Sequence, residues 1–214
     1  MLHVGISGPI ASGKSTLATM LQQRAIDNNF TAKIIPFSEE VKVIASTEDN
    51  AARVIIIASL FTQWGYDSTK AHMAALGIDN FMRAFPSTPG VKNRRLLQFI
   101  GTEIGRDFLH KDIWIYRVQH AAKTFPVLDF LFSDDLRFDN EAFAVDVHVA
   151  ITVEQRYQCY SVQRGKYSNE YLFNQHMSEQ SLTLPALLTL PVCFTTMDVN
   201  SLFFLLDEVR RLRS

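Results

Sequence analysis

Gly8-Pro9-Ile10-Ala11-Ser12-Gly13-Lys14-Ser15 lies between an apolar run at residues 4–7 and a segment that carries Leu17, Met20, Leu21 and Ala25 at helical spacing. A glycine, four intervening residues and Gly-Lys-Ser, placed after a strand and opening a helix, form a backbone cradle for a chain of phosphates. The glycines permit close approach, consecutive N–H groups face the anion, and the helix N-terminus adds its dipole. In this reading Gly8, Ala11, Ser12, Gly13, Lys14, Ser15 and Thr16 hold the phosphates. Lys14 reaches the terminal ones, and the Ser15 hydroxyl ligates a divalent cation.

The chain around this loop predicts an α/β fold. Asp27-Asn28-Asn29 ends the helix, and residues 32–37 read as a second strand closed by Pro36. The opening is thus β-loop-α-β, the unit that builds a parallel sheet with a right-handed crossover. From 38 to about 124 the signals are helical, at 39–45, 51–64, 69–76, 94–100 and 113–123, and read as an insertion. Strands are expected at 127–133, 147–153 and 192–196, with a last helix over 202–212. Residues 154–179 are polar and aromatic and carry Arg156, Arg164 and Lys166. The expectation is one domain over 1–214 with parallel strands, flanking helices and the 38–124 helical insertion.

Composition narrows the function classes. With 21 Lys+Arg against 22 Asp+Glu, the formal charge of -1 supplies no global field to recruit a long nucleic acid. Cys159 and Cys193 lack metal-site spacing and read as free thiols. The N-terminus reads as a strand rather than a signal peptide, and no apolar run approaches the ~20 residues that span a bilayer. A soluble cytoplasmic protein without a membrane partner is expected.

Further chemistry gathers at the end of the 127–133 strand, since ligands of open α/β sheets bind at the strands' carboxyl edge. Asp134 and Asp135 stand where a carboxylate can hold Mg²⁺ through water or orient an attacking oxygen; the alternative is a solvated acidic turn. Arg137 follows, either as a guanidinium fork for a substrate phosphate or as an ion-pair partner of Asp139 or Glu141. Residues 98–107 hold two glycines, a candidate helix cap at Thr102 and Arg106 within helical reach, and alone read as a helix junction. His176 is a weak catalytic candidate.

In this order the pieces resemble the bacteriophage deoxynucleoside monophosphate kinase family among the P-loop nucleotide kinases. The resemblance rests on residues 5–16, on Pro36-Phe37-Ser38-Glu39-Glu40-Val41-Lys42, and on residues 95–103 with Arg106 and Trp114. It extends to Asp135-Leu136-Arg137-Phe138-Asp139-Asn140-Glu141 and His176-Met177-Ser178-Glu179. It implies a P-loop NTPase fold with a roughly five-stranded parallel sheet, ATP and Mg²⁺ on the P-loop, a lid at about 154–179 with Arg156 beside the ATP, and a deoxynucleoside monophosphate under the helical insertion. It also implies monophosphate or transition-state contacts from Arg106 and Arg137, a site carboxylate at Asp135 beside Asp134, and acceptor contacts from Phe37, Lys42 and Gln98. Lys14, Arg106, Asp135 and Arg137 would be the catalytic set. The partners would be small-molecule nucleotides, with room for a homodimer, and the location the host cytoplasm if the gene is viral. Glu39-Glu40 replaces an Ala-Asp-Pro-like turn, and residues 63–89 match no motif of the family.

Two other functions use the same loop. One is phosphorylation of a hydroxyl, on a modified base in DNA or on a small metabolite, with Asp134 or Asp135 as the base. The other is a nucleotide-dependent switch, against which the sequence lacks a guanine-reading Asn-Lys-x-Asp.

Overall fold

The computed structural model describes residues 1–9, 12–60, 68–86, 93–152, 182, 188–191 and 196–213. The chain divides into two compact units, Met1–Pro36 with His120–Ser214, and Phe37–Gln119.

The first unit is a parallel sheet flanked by helices. Its strands are β1 (Leu2–Ser7), β2 (Ala32–Ile34), β3 (Phe130–Ser133), β4 (Val147–Thr152) and β5 (Leu188–Pro191), hydrogen-bonded in the order β2-β3-β1-β4-β5. Every pairing is parallel, with Gly5 opposite Ser133 on one side and opposite His148 on the other. Strand alternation sends Leu2, Val4 and Ile6 to one face, where they join Phe130, Phe132, Val147, Val149 and Ile151. That face is covered by Leu17, Ala18, Leu21 and Ala25 of α1 (Lys14–Asp27) and by Val199, Leu202, Phe203 and Leu206 of the last helix, Thr196–Arg213. Burying each large apolar side chain contributes about 1.5–3 kcal/mol, so the packing of two helices on this face is a large stabilising term for the unit. Arg24 of α1 donates to the Asn200 side chain, adding a polar contact between the two helices.

The opposite face of β1 is polar as well as buried. His3 and Ser7 point there, and the missing Cβ of Gly5 gives Leu136 its place: a Cβ on Gly5 would meet Leu136 Cδ1 at 2.3 Å and Val145 Cγ1 at 3.0 Å. The Leu136 N–H also donates to the Ile6 carbonyl at 3.2 Å, so the loop after β3 is fastened to β1.

The second unit is helical. It contains α2 (Glu39–Ser46), α3 (Asn50–Leu60), α4 (Ser68–Ala84), α5 (Arg94–Gln98), a π-helix over Phe99–Leu109 and the first turns of α6 (Ile113–Lys123). The helix expected over 69–76 runs on to Ala84, through Gly77. Burial of Ala71, Ala74, Ala75 and Ile78 offsets the ~1 kcal/mol that a helical glycine costs. Arg53 is buried on α3, donating to the Asn50 side chain, the Thr47 carbonyl and Met82 Sδ.

Two further expectations are corrected. A strand the sequence did not lead us to expect runs over Leu188–Pro191; of the strand expected at 192–196, Thr196 belongs to the final helix and residues 192–195 lie outside the described residues. Thr102 is not a cap: it is buried inside the π-helix.

Candidate functional site

The glycine-lysine motif at 8–15 joins β1 to α1, as its spacing requires. Gly8 has φ 149° and Gly13 φ 90°, conformations that L side chains rarely adopt. A Cβ on Gly8 would lie 2.8 Å from Ser12 Oγ and 2.9 Å from the Ile151 carbonyl, so only glycine fits where the loop leaves the sheet. Gly13 serves as the N-cap of α1, and its carbonyl accepts from the Leu17 N–H at 2.8 Å. The Lys14 ammonium folds over the loop, donating to the carbonyls of Gly8 at 2.8 Å and Pro9 at 2.7 Å. Ser15 and Thr16 are exposed on the first turn of α1, whereas Ser12 is buried and its hydroxyl has no partner among the described residues. Ala11 lies outside those residues.

Asp134 and Asp135 follow β3 directly, and both are half-buried. Because β3 pairs in parallel beside β1, these carboxylates leave the same edge of the sheet as the glycine loop. Arg137 stands two residues on, and the path of its backbone is set by Glu141 of α7 (Asp139–Ala144). The buried Glu141 carboxylate accepts from the N–H groups of Arg137 at 2.7 Å and Phe138 at 3.1 Å. Glu141 thereby caps the helix from its third residue, a role in which the carboxylate also offsets the N-terminal dipole.

Apart from Arg137, the residues assigned to the acceptor lie in the second unit. Phe37 is buried just before α2, and Lys42 is paired with Glu39 at 3.4 Å on the surface. The unfamiliar pair Glu39-Glu40 forms the first turn of α2, and Glu40 takes a hydrogen-bonded ion pair from Arg117 at 2.9 Å. Gln98 ends α5, and its amide nitrogen is buried without a partner among the described residues. Arg106 is on the π-helix, donating from Nη1 to the Lys111 carbonyl at 3.1 Å. π-Helices are rare, and single π-turns within helices recur at functional sites. This one is built around Trp114, whose indole N–H donates to the Gly101 carbonyl at 2.8 Å while its ring occupies the space a Cβ on Gly105 would need. The His110 N–H closes the last wide turn on Gly105 at 2.9 Å.

Two polar pairs that the sequence reading did not single out stand behind the first unit's edge. His3 Nε2 lies 2.9 Å from Ser133 Oγ, and His148 Nε2 lies 2.7 Å from Ser7 Oγ. Burial, which penalises the imidazolium, lowers the pKa of His3 from 6.5 to about 4, although the Asp146 carboxylate pulls the other way. The only sequence signal for these pairs is a histidine alternating with apolar residues in each strand.

Arg156, His176, both cysteines and the whole 154–179 lid lie outside the described residues. No cluster of three His, Cys, Asp or Glu side chains suited to a metal occurs among the described residues. No helix among them is long and apolar enough to cross a membrane.

No family model matches the chain, and no curated protein matches it. The functional reading therefore rests on the residues themselves.

Proposed function

We propose that this protein is a P-loop phosphotransferase that transfers the γ-phosphoryl group of ATP to a deoxynucleoside monophosphate. The observation that carries the reading is the β1–α1 junction: two glycines at positive φ and the Lys14 ammonium drawn over the loop, at the N-terminus of a 14-residue helix. Such a junction suits a polyanion, because a glycine turn permits close backbone approach while a lysine cation and a helix N-terminus stand beside it.

In this mechanism an oxygen of the acceptor phosphate attacks the γ-phosphorus, and the bond from that phosphorus to the β,γ-bridging oxygen breaks. The products are a nucleoside diphosphate and ADP. The attacking oxygen needs no base, since a phosphate monoester with a second pKa of about 6 is mostly ionised at neutral pH. Lys14 neutralises charge on the transferred group, and the guanidinium groups of Arg137 in the first unit and Arg106 in the second each offer the planar fork that suits phosphate oxygens. The Ser15 hydroxyl and the carboxylates of Asp134 and Asp135 supply the oxygen ligands a hard cation prefers. Mg²⁺ held by them would neutralise charge on the β- and γ-phosphates. The test is turnover: purified protein with ATP and Mg²⁺ should convert at least one deoxynucleoside monophosphate to its diphosphate, and Lys14→Met should not.

A further inference from the structure

Each strand that delivers a candidate catalytic segment ends in a serine whose hydroxyl meets a buried histidine. Ser7 closes β1 and precedes Gly8; its Oγ lies 2.7 Å from His148 Nε2 on β4. Ser133 closes β3 and precedes Asp134; its Oγ lies 2.9 Å from His3 Nε2 on β1. All four residues are buried, at 8% exposure or less.

The protons can be assigned at the second pair. Ser133 Oγ donates its one hydrogen to the Ile35 carbonyl at 2.7 Å, so it accepts from His3, whose Nε2 carries the proton. The His3 backbone is held in turn, its N–H donating to Asp146 Oδ2 at 2.8 Å. One row of side chains therefore ties β4 to β1, β1 to β3, and β3 to the residue that follows β2.

Stability alone gives no reason for such a row. Replacing both partners of a buried hydrogen bond with apolar groups of the same shape is often close to neutral. Hydrogen bonds instead supply direction and distance, which apolar contacts do not.

We propose that the Ser7–His148 and Ser133–His3 pairs fix the height at which the glycine loop and the acidic pair leave the sheet, making His148 and His3 positioning residues for phosphoryl transfer. The proposal rests on the kinase reading above. It predicts that the pairs act on turnover more than on binding, because in-line transfer is far more sensitive to displacement than substrate affinity is.

The test compares wild type with Ser7→Ala, Ser133→Ala and His148→Gln, using ATP-Mg²⁺ and the best deoxynucleoside monophosphate acceptor. ATP binding is followed by calorimetry and stability by urea unfolding. Both serine variants should lose about tenfold in kcat while KM for each substrate stays within about twofold, since even a 1 Å misplacement can cost ~100-fold. His148→Gln, which keeps a polar group near the Nε2 position, should retain kcat within about threefold. Serine variants with lowered urea midpoints and unchanged kcat would show that the pairs are merely structural, overturning this proposal alone. A wild type that binds no ATP and phosphorylates no acceptor would overturn the kinase reading and this proposal with it.

Discussion

The ammonium of Lys14 lies 2.8 Å from the carbonyl oxygen of Gly8, six residues back along the chain, and thus closes the loop that its own helix opens. The contact is made to backbone at the partly exposed end of the sheet, and Lys14 is absent from the apolar core. Lys14→Met should therefore leave far-ultraviolet circular dichroism and the urea midpoint nearly unchanged while reducing phosphoryl transfer by more than ~100-fold. A variant with near-normal turnover would remove the residue from the chemistry.

Gly8 and Gly5 test the two sides of the site separately. Gly8→Ala forces a methyl to within 2.8 Å of Ser12 Oγ at φ 149°, so ATP affinity should fall by at least about tenfold. Gly5→Ala displaces Leu136, and through it Asp135 and Arg137, so kcat should fall with ATP affinity preserved. Equal losses of ATP binding in the two variants would contradict this division, with calorimetry and steady-state kinetics supplying the numbers.

His3 should make stability depend on pH. Its folded-state pKa is about 4 against 6.5 ordinarily, so between those values the unfolded chain binds a proton that the native state refuses. Stability is fully present above pH 6.5 and is lost as pH falls toward 4, by on the order of 3 kcal/mol over the window. His3→Gln keeps a donor toward Ser133 but cannot titrate, and its urea-unfolding free energy should vary less between pH 7 and pH 4.5. Identical pH slopes in the two proteins would assign the proton to another group.

Much of this architecture was legible in the chain. The glycine loop, the strand before it and the apolar stripe of α1 follow from local spacing, and Leu17, Leu21 and Ala25 are buried as that spacing requires. The strand at Leu188–Pro191 was not legible, because its leucines and closing proline carry little local β-propensity, and its pairing with β4 is a contact distant in sequence. Nor was the π-helix: Gly101 and Gly105 read as a junction until Trp114, a distant side chain, takes the space between them. The serine–histidine pairs join residues 130 and 141 positions apart, beyond the reach of any local pattern.

The Trp114 packing can be measured directly. Gly105→Ala places a Cβ 2.3 Å from Trp114 Cζ2, an overpacking that should cost about 1–3 kcal/mol in urea unfolding. Trp114→Phe removes the N–H that Gly101 accepts and should cost about 1 kcal/mol or more. If Arg106 depends on this helix, both variants should also raise the acceptor KM, with ATP affinity unaltered.

The central claim is phosphoryl transfer to a phosphate acceptor, and a panel of acceptors tests it most directly. Deoxy- and ribonucleoside monophosphates, the corresponding nucleosides and duplex DNA are each incubated with γ-labelled ATP and Mg²⁺, and products are separated and counted. At least one deoxynucleoside monophosphate should become its diphosphate with one ADP formed per turnover. Nucleosides and DNA should be slower by on the order of 10³-fold, because a hydroxyl offers the guanidinium forks no anionic oxygens and must lose a proton before it attacks. Robust labelling of DNA or a free nucleoside with every monophosphate inert would contradict the account.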